Sequence, residues 1–174
     1  MRIIAGQYRG SKLVSPDDGR IRPTSDRVRE SLFSILGNVH GKRVLDLFAG
    51  TGALGIEALS RGATHATFVD TSNDALTIIR KNLERVDEDV RVVASKVPKV
   101  FGQLDGTYDL VFLDPPYETD LIVAALDGLV PLIDVNTTIV CETAKSIDIE
   151  LPDGFALTDE RIYGKTKLLF VALS

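Results

Sequence analysis

The sequence predicts an α/β fold, a mostly parallel seven-stranded sheet with helices on both faces, and three observations predict it. Short apolar runs alternate with stretches of helical spacing through the middle of the chain, and such alternation builds parallel strands joined by right-handed crossovers. The first run, Lys42-Arg43-Val44-Leu45-Asp46-Leu47, turns through Phe48-Ala49-Gly50-Thr51-Gly52-Ala53-Leu54-Gly55 into a helical pattern, a glycine spacing suited to a tight strand-to-helix turn. Near the end, Phe155 to Tyr163 and Lys167 to Leu173 flank Gly164-Lys165-Thr166 and read as an antiparallel hairpin.

The elements follow in order. Residues 2–14 read as two short strands around Gly6 and Gly10. Residues 15–23 carry prolines, aspartates and a glycine and read as a loop. Thr24 or Ser25 caps a helix running to about Leu36, with Val28, Leu32, Ile35 and Leu36 as its apolar face. After the glycine turn, Ala53 to Arg61 is a helix stopped by Gly62. Thr64 to Asp70 is the next strand, and Asp74 to Val86 a helix capped by Ser72 or Thr71. Val90 to Ala94 is a third strand. Lys96 to Leu104 is a weaker helix, because Pro98 is tolerated only in its first turn. Tyr108 to Leu113 is apolar enough to be a central strand. Leu121 to Leu129 is a helix and Thr138 to Glu142 a fifth strand. The chain thus divides into a small basic hairpin-and-helix extension, residues 1–40, and an α/β domain, residues 41–174.

Composition narrows the classes. Apolar residues at 44% with 26% charged residues describe a globular chain, and 174 residues suffice for one substantial core. The single cysteine, Cys141, excludes an internal disulfide and fits a reducing, cytoplasmic setting. His40 and His65 lie far apart with no cysteine beside them, so no metal is expected. No apolar run reaches membrane-spanning length. The net charge of −5 is unevenly spread: residues 1–43 hold nine Lys or Arg against four Asp or Glu, leaving +5 there and −10 on the remainder. A cationic arm on an acidic body suits a polyanionic partner, or is a solvated charged face, and charge by itself weighs the two equally.

A strand, a glycine turn and a helix N-terminus together make a nucleotide site. Asp70 ends the next strand twenty residues after Gly50, where an acid can accept both ribose hydroxyls. Two cofactors fit the glycine spacing. A dinucleotide would set its pyrophosphate on the helix N-terminus, whereas S-adenosylmethionine has no phosphate and carries a sulfonium. Asp46 stands just before the turn, where a carboxylate opposes pyrophosphate and suits an ammonium or sulfonium. That tilts the choice towards S-adenosylmethionine. The candidate cofactor residues are Asp46, Phe48, Ala49, Gly50, Gly52, Asp70 and Thr71, with Ser95 and Lys96 after the third strand. Asp46, Asp70, Ser95 and Asp114 all fall at carboxyl ends of strands, where ligands of such sheets bind.

The fourth strand ends in Asp114-Pro115-Pro116-Tyr117. Two prolines remove two backbone donors, so the strand end offers acceptors: the Asp114 carboxylate and carbonyl oxygens. Such a cluster suits a planar amino group, and Tyr117 supplies a face on which a base stacks. Hydrogen bonds from an exocyclic amine to Asp114 and the Pro115 carbonyl would orient it and raise its electron density. Alignment with a methyl sulfonium is then most of the catalysis. A base within a helix must first be turned out, or lie in a loop.

With these two motifs in hand, the chain resembles the class I S-adenosylmethionine-dependent amino-methyltransferases, a Rossmann-like fold. Arg2-Ile3-Ile4-Ala5-Gly6, Arg9-Gly10, Arg22-Pro23-Thr24, Asp26-Arg27-Val28-Arg29-Glu30-Ser31-Leu32-Phe33, Gly52 to Ala63 and Tyr163-Gly164-Lys165-Thr166-Lys167 are similar to the bacterial 16S ribosomal RNA guanine-N2 methyltransferase family RsmD, over nearly the full length. The resemblance implies methyl transfer from S-adenosylmethionine to N2 of one guanine (966 in the customary numbering) of 16S RNA, in the small ribosomal subunit or an assembly intermediate, by a monomer. Asp114, Pro115, Pro116 and Tyr117 would be catalytic, and Arg2, Arg9, Lys12, Arg22, Arg27 and Arg29 would meet RNA. Many relatives hold the adenine amino group with an acid after the third strand; here Ser95 stands there, leaving that contact to Ser95 or the Lys96 backbone. Three alternatives stay open: a DNA adenine-N6 methyltransferase, a nucleotide-binding protein or dehydrogenase using the glycine turn alone, and a catalytically silent RNA-binding module.

Overall fold

The structure, a computed structural model, describes residues 1–16, 25–116 and 119–174. Helix α1 spans Asp26–Leu36, followed by β1 (Arg43–Leu47), α2 (Ala53–Ser60), β2 (His65–Asp70), α3 (Asn73–Leu83) and β3 (Asp89–Ala94). Then come β4 (Leu110–Leu113), α4 (Thr119–Leu129), β5 (Thr138–Ala144), β6 (Phe155–Tyr163) and β7 (Thr166–Leu173). The strands form one seven-stranded sheet in the order β3-β2-β1-β4-β5-β7-β6. β1 to β5 run parallel, while β7 joins antiparallel to β5 and to β6. The predicted architecture is therefore the observed one, hairpin included. Among the described residues no helix is long and apolar enough to cross a membrane.

Alternation along the strands sorts the core into two layers. Val44, Phe68, Leu110, Phe112, Val140 and Leu168 face one layer, with Ile56 and Leu59 of α2. Leu45, Leu47, Val69, Val111, Leu113 and Cys141 face the other, with Ile122 and Leu126 of α4. The N-terminal residues pack on the first layer: Ile3, Leu13, Leu32 and Phe33 are buried there, and the Phe33 ring lies 5.9 Å from that of Phe112.

Four local expectations change. Residues 2–14 form a single antiparallel bridge, Arg2 to Lys12, in place of two strands. Their backbone donors are used elsewhere: the amides of Ile4 and Ala5 donate to Glu57, and that of Gln7 to the Ser60 carbonyl. Gly6, at φ +86°, comes so close to Ser60 that a Cβ would sit 1.7 Å from its carbonyl oxygen. In α1, capped by Ser25, the buried positions are Val28, Arg29, Leu32 and Phe33, while Ile35 is 38% exposed. Docking on Phe112 turns the helix by about one position from its most apolar face. α3 ends at Leu83, short of Val86. The helix expected at Lys96 to Leu104 is a 3-10 turn, Lys99–Gln103, because Pro98 supplies no amide and Gly102 has little helical preference. Thr24, the other candidate cap, lies outside the described residues.

Candidate active site

The site is assembled by one strand pairing. β1 and β4 are hydrogen-bonded neighbours, Leu47 opposite Leu113, so the glycine turn and Asp114 leave the sheet side by side. β2 lies on the other side of β1, Leu47 opposite Val69, and carries Asp70 beside the turn. Ser95 follows β3, its amide donating to the Asp70 carbonyl at 3.2 Å.

The turn is shaped by positive φ angles at Phe48 (62°), Gly50 (57°) and Gly52 (77°). Glycine takes this conformation without penalty. Phe48 does not, and a side chain held there costs about 1–3 kcal/mol, a strain that concentrates at functional turns. Two carboxylates hold the turn. Asp70 accepts from the Gly50 amide at 2.9 Å through one oxygen and from the Ser72 amide at 2.8 Å through the other. Asp46 is buried beneath α2 and accepts from the Gly55 amide at 2.9 Å. Burial pushes the Asp46 carboxyl up to about 8, against the Gly55 hydrogen bond that favours its charge, and nearby Asp70 adds to the rise. Gly55 lets α2 approach closely: a Cβ there would lie 2.3 Å from the Phe68 ring and 3.2 Å from Asp46 Oδ2. Gly52 precedes the first residue of α2. Buried Asn82 of α3 ties the Thr51 carbonyl, at 2.9 Å, to the backbone of Val14.

The other predicted cofactor residues surround this turn. Ala49 is buried, its amide donating to the Val69 carbonyl at 2.9 Å; Thr71 and Lys96 are exposed. Ser95 is half-buried and accepts from the Gln103 side chain at 3.0 Å. Asp114 is half-buried and interacts with neighbouring groups, Pro115 is buried and Pro116 exposed. Tyr117 lies outside the described residues. The strand-end side chains are thus acids and a serine, Asp46, Asp70, Ser95 and Asp114. These acceptors suit a nucleoside bearing cationic groups, and the ionised carboxylates among them oppose one bearing phosphates. Among the described residues no group of three or more His, Cys, Asp or Glu could hold a metal ion.

Of the predicted RNA contacts, Arg2, Arg9, Lys12 and Arg27 are exposed, and Arg22 lies outside the described residues. Arg29 must be withdrawn from that set. Its side chain is 0% exposed, its guanidinium meets Asp26 at 3.0 Å and Glu57 at 3.7 Å, and it donates to the Arg2 carbonyl. Burial lowers its pKa, and the two carboxylates oppose the fall. Glu57, also 0% exposed, further accepts from Ile4 at 2.8 Å, Ala5 at 3.1 Å and Arg61 at 2.7 Å. This clasp ties the basic arm to the helix that follows the glycine turn. Glu57 of this clasp and Asn82, which binds the arm at Val14, each carried a signal in the sequence. Glu57 is the acid in an otherwise apolar helix, Ala53-Leu54-Gly55-Ile56-Glu57-Ala58-Leu59, and Asn82 falls at core spacing after Ala75 and Ile79.

Known proteins resemble the whole chain. A family model described as Conserved hypothetical protein 95 matches residues 1–172. Ribosomal RNA small subunit methyltransferase D of Escherichia coli (strain K12) is 38% identical over 156 residues, covering 88% of this chain and 77% of that protein. The Haemophilus influenzae protein of the same name is 35% identical over 172 residues, covering 94% of this chain and 89% of its own. The solved structure of the Escherichia coli protein yhhF superposes with a TM-score of 0.88 at 32% identity, covering 100% of this chain and 98% of that one.

Proposed function

The chain belongs to the Conserved hypothetical protein 95 family, the RsmD family of the sequence resemblance, and from that membership we propose that it methylates N2 of a guanine in small-subunit ribosomal RNA, with S-adenosylmethionine as donor. Its fold is the Rossmann-like class I methyltransferase fold. The observation that carries the reading is the pairing of β1 with β4, which sets Asp114-Pro115-Pro116 against the glycine turn. A dehydrogenase or a silent binding module leaves that juxtaposition without a purpose.

The roles follow from position. Asp70 would hold the ribose hydroxyls, using lone pairs its two backbone hydrogen bonds leave over. Gly50, Gly52, Phe48, Ala49 and Thr71 would shape the cradle, and Ser95 with the Lys96 backbone would meet the base. Asp46 would act from beneath, as a buried carboxyl whose charge the cationic ligand favours. When bound, S-adenosylmethionine supplies an electrophilic methyl group. Asp114 and the Pro115 carbonyl would accept hydrogen bonds from the guanine amine and turn its lone pair towards that methyl. As the new nitrogen–carbon bond formed, the methyl–sulfur bond would break and leave a neutral thioether, and N2 would lose one proton, which the Asp114 carboxylate would accept. Tyr117 would stack on the base. Residues 1–40 would serve as the RNA-binding extension, with Arg2, Arg9, Lys12, Arg22 and Arg27 towards phosphates, and residues 41–174 as the catalytic domain.

The test is labelled methyl transfer to small ribosomal subunits from cells lacking this protein, with mapping of the product nucleoside. N2-methylguanosine at one site is expected. Label in duplex DNA adenine, or in neither substrate, would overturn the reading.

A further inference from the structure

Glu142 had no part in the motifs, yet the sheet sets it beside Asp114. Leu113 of β4 is in register with Cys141 of β5, so Asp114, the residue that follows β4, leaves the sheet beside Glu142, the next residue of β5. Adjacent strands lie about 4.8 Å apart. Leu113 and Cys141 face the layer of α4, so alternation turns Asp114 and Glu142 to the opposite face. The other neighbour of β5 agrees: Glu142 is paired with Leu168, which is buried in that opposite layer. The basic N-terminal extension packs on the same face through Phe33 and Phe112. A base arriving along the extension would therefore meet two carboxylates in a row, Asp114 just past the end of β4 and Glu142 two residues before the end of β5.

We propose that Glu142 is a specificity-determining residue that accepts a hydrogen bond from N1–H of the target guanine while Asp114 engages the N2 amine. This rests on the guanine-N2 reading above. The Watson–Crick edge of guanine presents two adjacent donors, N1–H and N2–H, whereas adenine presents an amine donor beside an acceptor, N1. A pair of carboxylates matches the first pattern and repels the second, because an ionised carboxylate only accepts. Leaving two acceptors face to face in a half-buried site is the kind of mismatch that rejects the wrong substrate strongly. Asp114 by itself suits either amine, so the second acceptor is what separates a guanine-N2 enzyme from an adenine-N6 enzyme on the same motif. Glu142 is half-buried and already interacts within the fold; a carboxylate has about four acceptor positions, so a further donor can be taken.

The experiment uses the full chain, wild type and Glu142→Gln, on small ribosomal subunits carrying either guanine or 2-aminopurine at the position the wild-type enzyme methylates. 2-Aminopurine keeps the N2 amine, but its N1 is an acceptor. The wild type should favour guanine over 2-aminopurine by about ten-fold or more in kcat/KM. Glu142→Gln should lose rate on guanine and narrow that ratio by about ten-fold, since a glutamine amide can donate to N1. Equal wild-type rates on the two bases would overturn the proposal without any variant being needed. Equal loss on both bases in Glu142→Gln, or no loss, would overturn it too, since a merely structural role does not change base preference. Absence of N2-methylguanosine from the wild-type product would instead sink the reaction reading itself, an outcome separate from the ratios.

Discussion

Removing the Glu57 carboxylate should loosen the N-terminal arm from the α/β body, and the structure sets the size of the effect. Glu57 is fully buried and accepts three hydrogen bonds, from Ile4, Ala5 and Arg61, while facing the buried guanidinium of Arg29 at 3.7 Å. In Glu57→Ala, Arg29 keeps Asp26, whose side chain is 44% exposed, and loses its buried counter-charge. Breaking a buried pair by deleting one partner costs about 3–5 kcal/mol. The two orphaned amides would add about 1–3 kcal/mol each if they stayed buried, but lifting the arm returns them to water. The total should therefore stay near 3–5 kcal/mol, a large part of the about 5–15 kcal/mol typical of a folded domain. Urea unfolding measures it. Hydrogen exchange should show the amides of Ile4, Ala5, Gln7 and Tyr8 opening first, because all four bond to Glu57 or Ser60 of α2. Double replacement of Glu57 and Arg29 by apolar residues of similar volume should recover much of the loss. A change below about 1 kcal/mol in Glu57→Ala, with arm exchange unaltered, would refute the idea that this clasp holds the extension.

Other expectations follow from single sites. Asp46 titrates at about 8 in the fold against about 4 unfolded, so its neutral form stabilises fully below about pH 4 and that contribution is lost as pH rises to about 8. Wild-type stability should then fall with pH by at most about 1.4 kcal/mol per unit relative to Asp46→Asn, and parallel urea profiles from about pH 5 to about pH 8 would contradict this. Gly55→Ala drives a methyl to 2.3 Å from the buried Phe68 ring and should destabilise by about 1–3 kcal/mol in thermal unfolding; a neutral result would mean α2 is free to shift. Asp70→Ala should weaken S-adenosylhomocysteine about ten- to hundred-fold by calorimetry, through lost ribose contacts and a released Gly50 amide; unchanged affinity removes Asp70 from the site. Replacing Arg9 and Lys12 by Ala should flatten the log–log salt slope of RNA binding by about one unit and leave cofactor affinity unchanged; an unaltered slope would return both to a solvated face.

Local sequence was enough to read the seven strands of the sheet, the helix that leaves the glycine turn and the closing hairpin, but not the N-terminal arm, where two expected strands reduce to one bridge. These depend on local rules: apolar runs for buried strands, glycines where φ must be positive, and a side-chain oxygen to cap a helix. The turn from Phe48 to Gly55 was legible because its spacing is written in consecutive residues, although nothing in a phenylalanine announced that Phe48 would hold φ 62°. Tertiary structure alone decided what charge and neighbourhood mean. Arg29 counted towards a basic arm, yet it is buried against Glu57, because a sum of charges cannot tell a solvated cation from one paired across twenty-seven intervening positions of chain. The strand order decided that β1 lies between β2 and β4, bringing the turn, Asp70 and Asp114 to one edge. It also brought Glu142 beside Asp114, because Cys141 is in register with Leu113. The two-residue period fixes which face each side chain takes, but which strands become neighbours is decided by packing and hydrogen bonding between segments far apart in the chain.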